Sequence, residues 1–331
     1  MPSLSFREGH QMTHPAPASG VAAGVSSMVV ANLILGSSVV YWHALGHIPA
    51  ITLLGYRVLV SLVTVTLAVA VLRRTGALRA AVADRRLLVT HLLAAVLICV
   101  NWLAFIWASI HGRVIEASLG YLIAPAVTIA VGMLLVREPA SRLRRAALAL
   151  CLLGIALLLT RSGELYWWVF VTISTSWGLY GAVKKLSPAD PVTGLTLETS
   201  FLAVGVVAVA ALSPYSLALQ PSADTSDYVL LALCGLISVI PLWLFSLGAK
   251  AITLTVSGFV QYLNPTAQLV IAVSVYGQVP SANTFVCFAL VWLSLVSLVL
   301  EAVLGERRRQ PRNQQPSTEL MKGTTVRDQY L

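Results

Sequence analysis

Apolar residues fill this chain in long blocks, and short polar clusters separate them. The blocks show neither the alternation of a strand nor the single stripe of a water-soluble helix. A helix needs about 20 apolar residues to cross a bilayer. Ten spans meet or approach that length: 21–42, 50–72, 88–110, 114–136, 145–160, 165–183, 194–212, 228–248, 252–276 and 283–303. Two of them are interrupted in the same way. The fourth, EASLGYLIAPAVTIAVGMLLV, holds Glu116 near one end and Pro125 near its middle. A proline inside a helix removes one backbone donor and disturbs the bond to the carbonyl four residues back, here that of Tyr121. Lipid cannot satisfy that carbonyl, so the helix should face protein or a water-filled space. Helical spacing sets Tyr121, Pro125, Thr128 and Gly132 on one side. In the ninth span, 140 positions on, Gln261, Pro265, Gln268 and Ala272 stand in the same order. Paired, proline-interrupted, polar-sided helices in the two halves of a chain are the pattern of a transporter's central pathway.

Composition agrees with the pattern. The 331 residues are 57% hydrophobic and 11% charged, against about 25% charged in soluble domains. The reading is an all-α polytopic membrane protein. Residues 1–19 are polar and lack the layout of a signal peptide, so the first apolar run is expected to remain as a helix. The basic residues orient the spans. With a cytoplasmic N-terminus, 19 of the 22 Lys and Arg fall in inside segments. Only Arg113 and Arg161 fall outside, and Arg57 lies within a span. That bias places both termini in the cytoplasm. The charge of +9 therefore follows from topology and gives no ground for nucleic-acid binding. The Arg307–Arg309 run reads as an anchor beside anionic lipid.

Five spans lie in each half, and five is odd. A second half that repeats the first must sit upside down in the membrane. The expected division is an N-tail (1–19), a first five-helix repeat (20–160), a second (165–304) and a basic C-tail (305–331). Short connections at Ile110–Arg113 and Ala249–Ala251 make a tight hairpin in each half, its second arm being the proline-bearing helix.

Charges within spans are rare and usually functional. Arg57, Glu116 and Glu198 are such charges. Arg57 and Glu198 are each set against a snorkelling anchor, and Glu116 against a local ion pair with Arg113. Asn101, Trp102, Trp177 and Tyr180 could wall a pocket or simply pack. Trp42, Trp167 and Trp168 read as interface belts, and Lys184 and Lys185 as inside-edge anchors. Cys99, Cys151, Cys234 and Cys287 stand singly in apolar runs and read as small buried hydrophobes. His43 and His47 form one isolated HxxxH, too little for a metal site. HExxH, GxSxG and P-loop motifs do not occur in the sequence. No cofactor, metal or catalytic set is therefore expected, and uphill movement would draw on a coupling proton or a counter-solute.

Several segments together resemble the drug/metabolite transporter superfamily, EamA-type, and within it the RarD proteins. They are GYR at 55–57, NWLAFIWA at 101–108, EASLGYLIAP at 116–125, WGLYG at 177–181, TGLTLET at 193–199 and SGFVQYLNPTAQLVIAVSVYG at 257–277. The resemblance implies ten helices in two inverted five-helix repeats around a central cavity. It also implies carriage of small metabolites or drugs, often outward, without ATP. The matched positions are Arg57, Asn101, Trp102, Glu116, Tyr121, Pro125, Glu198, Gln261, Tyr262 and Pro265. Members of the family commonly carry Gly-Glu after the fourth and ninth helices. Here those places read Arg137-Glu138 and Gly277-Gln278, and Asn264 replaces the usual glycine before the proline.

The resulting expectation is a multi-pass plasma-membrane carrier of a small solute, working by alternating access. Tyr121, Gln261, Asn264 and Gln268 would bind solute, Trp102, Trp177 and Tyr180 would wall the site, and Glu116 or Glu198 would couple protons. The alternative is a membrane-embedded sensor or scaffold that moves nothing. A membrane enzyme would need a clustered catalytic set.

Overall fold

The computed structural model describes residues 18–134, 141–161, 166–212, 224–293 and 296. All secondary structure among these residues is helical. In chain order the helices are α1 (Ala18–Ala44), α2 (Ala50–Val71), α3 (Thr75–Ala83), α4 (Arg85–Ile110), α5 (Val114–Leu134) and α6 (Arg142–Arg161). There follow α7 (Trp167–Leu186), α8 (Pro191–Leu212), α9 (Thr225–Ala251), α10 (Leu254–Val260), α11 (Leu263–Ser274) and α12 (Ala282–Leu293). Six of them, α1, α2, α4, α5, α8 and α9, are long and apolar enough to cross a membrane. The N-tail to residue 17, Arg137-Glu138, most of the 213–227 loop, the end of the tenth span and the C-tail lie outside the described residues.

Two departures from the expected spans have local causes. The 73–87 segment holds a nine-residue helix, α3, entered through Arg73 at φ +53°. It is too short and too polar to register as an apolar block. The ninth span is two helices, α10 and α11, parted at Gln261–Tyr262. Pro265 then stands in the first turn of α11, where a helix does not use its N–H. Pro125 instead lies inside an unbroken α5, so the two proline-bearing arms differ. Polar caps fix several starts. Asp84 accepts from the Arg86 and Leu87 amides at 2.8 and 3.3 Å, Asp224 and Asp227 form a capping box on α9, and Thr253 caps α10.

Helices of the two halves interleave. α1 lies along α9 and α11, while α7 lies along α4 and α5. α2 packs on α8 and α9, α8 on α2 and α4, and α5 meets α10 and α11. Glycines permit the closest crossings. A Cβ on Gly178 of α7 would come within 3.0 Å of the Ala124 carbonyl oxygen of α5. A Cβ on Gly36 of α1 would come within 2.7 Å of the Asn264 carbonyl oxygen of α11. Small residues serve this purpose in membranes, where van der Waals contact must drive helix association.

The exterior is apolar, with Leu67, Leu212 and Val204 at 61%, 87% and 69% exposure. The interior holds polar and charged groups: Arg57, His91, Asn101, Glu116, Lys184, Glu198, Gln261 and Gln268 are all buried. Water would favour the reverse distribution; lipid favours this one. The protein is a multi-pass membrane protein.

Candidate functional site

Arg57 enters the interior about 10 Å along α2 from Ala50, at 1.5 Å per residue. It does not snorkel: its exposure is 3%. Its guanidinium carbon lies 3.9 Å from the Trp102 ring centroid on α4 and 4.6 Å from that of Trp42 on α1. Trp42 is wholly buried and is not an interface-belt residue. Trp167 and Trp168 do remain exposed.

Beside this group, one hydrogen-bonded and aromatic chain links α4, α5, α7, α8 and α9. The Tyr121 hydroxyl donates to Asn101 Oδ1 at 2.8 Å, and Asn101 Nδ2 donates to Ser176 Oγ at 3.2 Å and to the Ile173 carbonyl at 3.3 Å. Tyr121 meets Trp177 edge-on at 5.8 Å, Trp177 stacks with Tyr180 at 5.8 Å, and Phe245 closes on both. Tyr180 then donates to Glu198 Oε2 at 2.9 Å.

Glu198 is the hub of a buried polar group. Lys184 Nζ donates to its Oε1 at 2.8 Å, and His91 Nδ1 lies 2.8 Å from the same oxygen. His91 Nε2 is 2.9 Å from Ser187 Oγ. A neutral imidazole donating through Nδ1 and accepting from Ser187 fits both contacts. Glu198 and Lys184 are 1% and 2% exposed, so neither is a surface anchor. Lys185 reaches the Ile252 carbonyl at 2.6 Å instead of water. Just outside α8, burial pushes the Asp190 carboxyl up, but the Thr193 hydroxyl and amide and the Arg74 charge together hold it below its ordinary range.

Seven predicted residues thus come together: Arg57, Asn101, Trp102, Tyr121, Trp177, Tyr180 and Glu198. The others are placed apart or bonded locally. Glu116 pairs with Arg113 at 3.3 Å, three residues away, and Arg113 lies over the Tyr166 ring. Thr128 donates to its own helix at Ala124, 3.2 Å away. Gln261 Nε2 bonds Ser257 Oγ at 3.3 Å, and Gln268 Nε2 bonds Asn264 Oδ1 at 2.7 Å. Pro265 offers its carbonyl to Ser118 Oγ at 3.1 Å, joining α5 to α11, and Pro125 is buried in α5. Tyr262 belongs to a second apolar cluster with Phe259, Leu269 and Phe288.

Trp42, Ser176, Lys184 and His91 were not foreseen at the site. His91 had a signal: with Ala94, Ala95, Ile98, Asn101 and Trp102 it forms one buried helical stripe of α4. Lys184 was masked by its position at the end of an apolar run.

Two cavities flank the group. One, about 870 Å³, opens at the α1–α2 turn between His47, Trp107, His111 and Trp168. The other, about 380 Å³, is an apolar groove between α2, α4 and α8, near Gly55, Cys99 and Leu202. Neither is lined by the seven grouped residues. His47 pairs with Asp227 at 3.0 Å, and His43 Nδ1 lies 3.3 Å from the Ser109 carbonyl. Among the described residues, no three His, Cys, Asp or Glu side chains are placed to hold a metal.

Comparison with known proteins finds extended similarity. Protein RarD of Escherichia coli (strain K12) is 31% identical over 86% of this chain and 96% of its own length. The uncharacterized transporter YojE of Bacillus subtilis (strain 168) is 32% identical over 86% of this chain and 96% of its own. A crystal structure sharing 17% identity covers 89% of this chain and all of its own, with a TM-score of 0.62, which speaks for the fold alone. No family model matches the chain.

Proposed function

The chain belongs to the family of RarD-like transporters, and from that premise we propose a secondary transporter of small metabolites or drugs. Two inverted five-helix repeats, 20–160 and 165–304, rock about the Arg57–Tyr121–Trp177 group and expose it to each side in turn. Both termini are cytoplasmic, the net direction is outward, and ATP is not consumed. Arg57, Asn101, Trp102, Tyr121, Trp177 and Tyr180 form the site. Gln261 at the α10–α11 joint, and Asn264 and Gln268 on α11, face the solute as the halves separate.

One observation carries this reading: the hydrogen-bonded group is assembled from both halves, α4 and α5 giving Asn101 and Tyr121, α7 giving Ser176. A one-sided anchor would not need it. The interleaved packing supports the inverted plan. The largest contacts between the halves have counterparts when the halves are exchanged: α1 on α9 answers α7 on α4, and α1 on α11 answers α7 on α5. The crossings of Gly36 over Asn264 and Gly178 over Ala124 are one such pair. Glu198, buried among His91, Lys184 and Tyr180, would be the group that couples a proton to the cycle.

The test starts from metabolites whose distribution across the membrane changes when the protein is produced in a bacterial host. The solute so found is then supplied to proteoliposomes without ATP. Saturable uptake is expected, with Gln261→Ala reducing it severalfold. Unchanged kinetics would remove Gln261 from the pathway, and absence of any flux would leave a sensor or scaffold.

A further inference from the structure

The other charged side chains buried among the described residues are matched. Glu198 is met by Lys184 at 2.8 Å, Glu116 by Arg113 at 3.3 Å and Asp227 by His47 at 3.0 Å. Arg57 is different. No described carboxylate lies within ion-pair distance of it, and its Nε and Nη1 have no hydrogen-bond partner among the described residues. Arginine keeps its charge at neutral pH. Its N–H groups point outward in the guanidinium plane, so the ring contacts with Trp42 and Trp102 satisfy none of them.

The surroundings supply further donors. The Trp42 indole N–H is buried and unpartnered, and so are the hydroxyls of Ser61 and Ser238. Ser61 is one turn beyond Arg57 on α2, and Ser238 is one turn beyond Cys234 on α9. Cys234, Tyr41 and Tyr121 all lie within electrostatic reach of the guanidinium. None of these supplies a negative charge at neutral pH. The tyrosine hydroxyls are already committed, Tyr121 to Asn101 and Tyr41 to the Leu230 carbonyl.

A buried cation with unpartnered in-plane donors, set against the Trp42 indole with its unpartnered N–H, suits an anion. We infer that Arg57 is the head-group site for the transported solute, which is a small organic acid. Its carboxylate or phosphate sits on the guanidinium edge, and its apolar body lies along Phe105, Tyr121 and Trp177. A carboxylate or phosphate can accept two parallel N–H bonds from arginine and brings the opposite charge, which a neutral acceptor does not. The solute would also supply a charge opposite to that of Arg57. This deepens the transporter reading and rests on it.

The experiment compares intracellular and extracellular metabolites of cells producing wild type, R57Q, R57K or no protein, at matched membrane levels. In the wild type, the redistributed solutes are expected to be acids that are anionic at neutral pH. R57Q is expected to lower their redistribution about tenfold or more. R57K, which keeps the charge and loses the fork, should fall between. Redistribution of neutral or cationic solutes would overturn the anion site, whether or not R57Q folds. So would acids handled equally by wild type and a well-folded R57Q. No redistribution by the wild type would instead overturn the transporter reading, and this inference with it.

Discussion

The Lys184–Glu198 contact shows what burial does to a charge pair. Two ions lose their hydration, and their attraction repays this only with good geometry and further hydrogen bonds. Here the further bonds exist: His91 and Tyr180 occupy the remaining acceptor positions of the carboxylate. Removing one ion strands the other. Lys184→Met is expected to cost about 3–5 kcal/mol, read as a lowered thermal midpoint in nanodiscs. The double variant Lys184→Met with Glu198→Gln should recover much of that loss. Equal destabilisation by the single and double variants would mean that the pair adds nothing beyond packing. Arg57 differs, because among the described residues no carboxylate pairs with it.

At the scale of elements, the helix crossings are set by backbone proximity. The Gly178 crossing leaves no room for a side chain beside Val127 and the Ala124 carbonyl. Gly178→Val is expected to destabilise by about 1–3 kcal/mol or to force α5 and α7 apart. Gly36→Val should do the same between α1 and α11. Gly76→Ala in α3, where nothing lies within 4 Å of the added carbon, should be neutral or slightly stabilising. Thermal unfolding of the three variants checks this, and equal behaviour of all three would dissolve the distinction. Helices α1, α2, α4, α5, α8 and α9 were legible in the sequence because bilayer thickness imposes a length on apolar blocks. The parts that were not legible have physical reasons. α3 answers to no such length. The break at Gln261–Tyr262 and the unbroken course of α5 through Pro125 depend on what each proline's neighbours can satisfy. Arg57, Glu198 and Asn101 stood out as polar groups in apolar runs. The partners that give them meaning, Trp42, Lys184 and Ser176, belong to other helices, and no local pattern joins them.

For the whole molecule, the decisive matter is which face meets which compartment. The α1–α2 turn lies on one face, α3 and the 187–190 turn on the other. In a background without the four native cysteines, Ala44→Cys should react with a membrane-impermeant thiol reagent applied to intact cells. Gly76→Cys should react only after permeabilisation. The reverse pattern would overturn the orientation that the distribution of Lys and Arg predicts. The interleaving of helices also means that neither half can unfold alone without exposing the polar group they share, so loss of structure should occur as one event.

The joint between α10 and α11 has no equivalent in α5. A carrier made of near-duplicates would ordinarily swing both ways with equal ease. Here α5 is an unbroken arm and the α10–α11 pair a jointed one, whose seven-residue leading piece is moored through Ile252 to Lys185. In the proposed cycle, opening on the Lys185 side would proceed by casting off that short lever, while opening on the opposite side would displace whole helices. Under the proposed alternating access, the two gates would differ in stiffness, and the cycle would take a preferred resting posture from the fold itself, before any gradient acts on it.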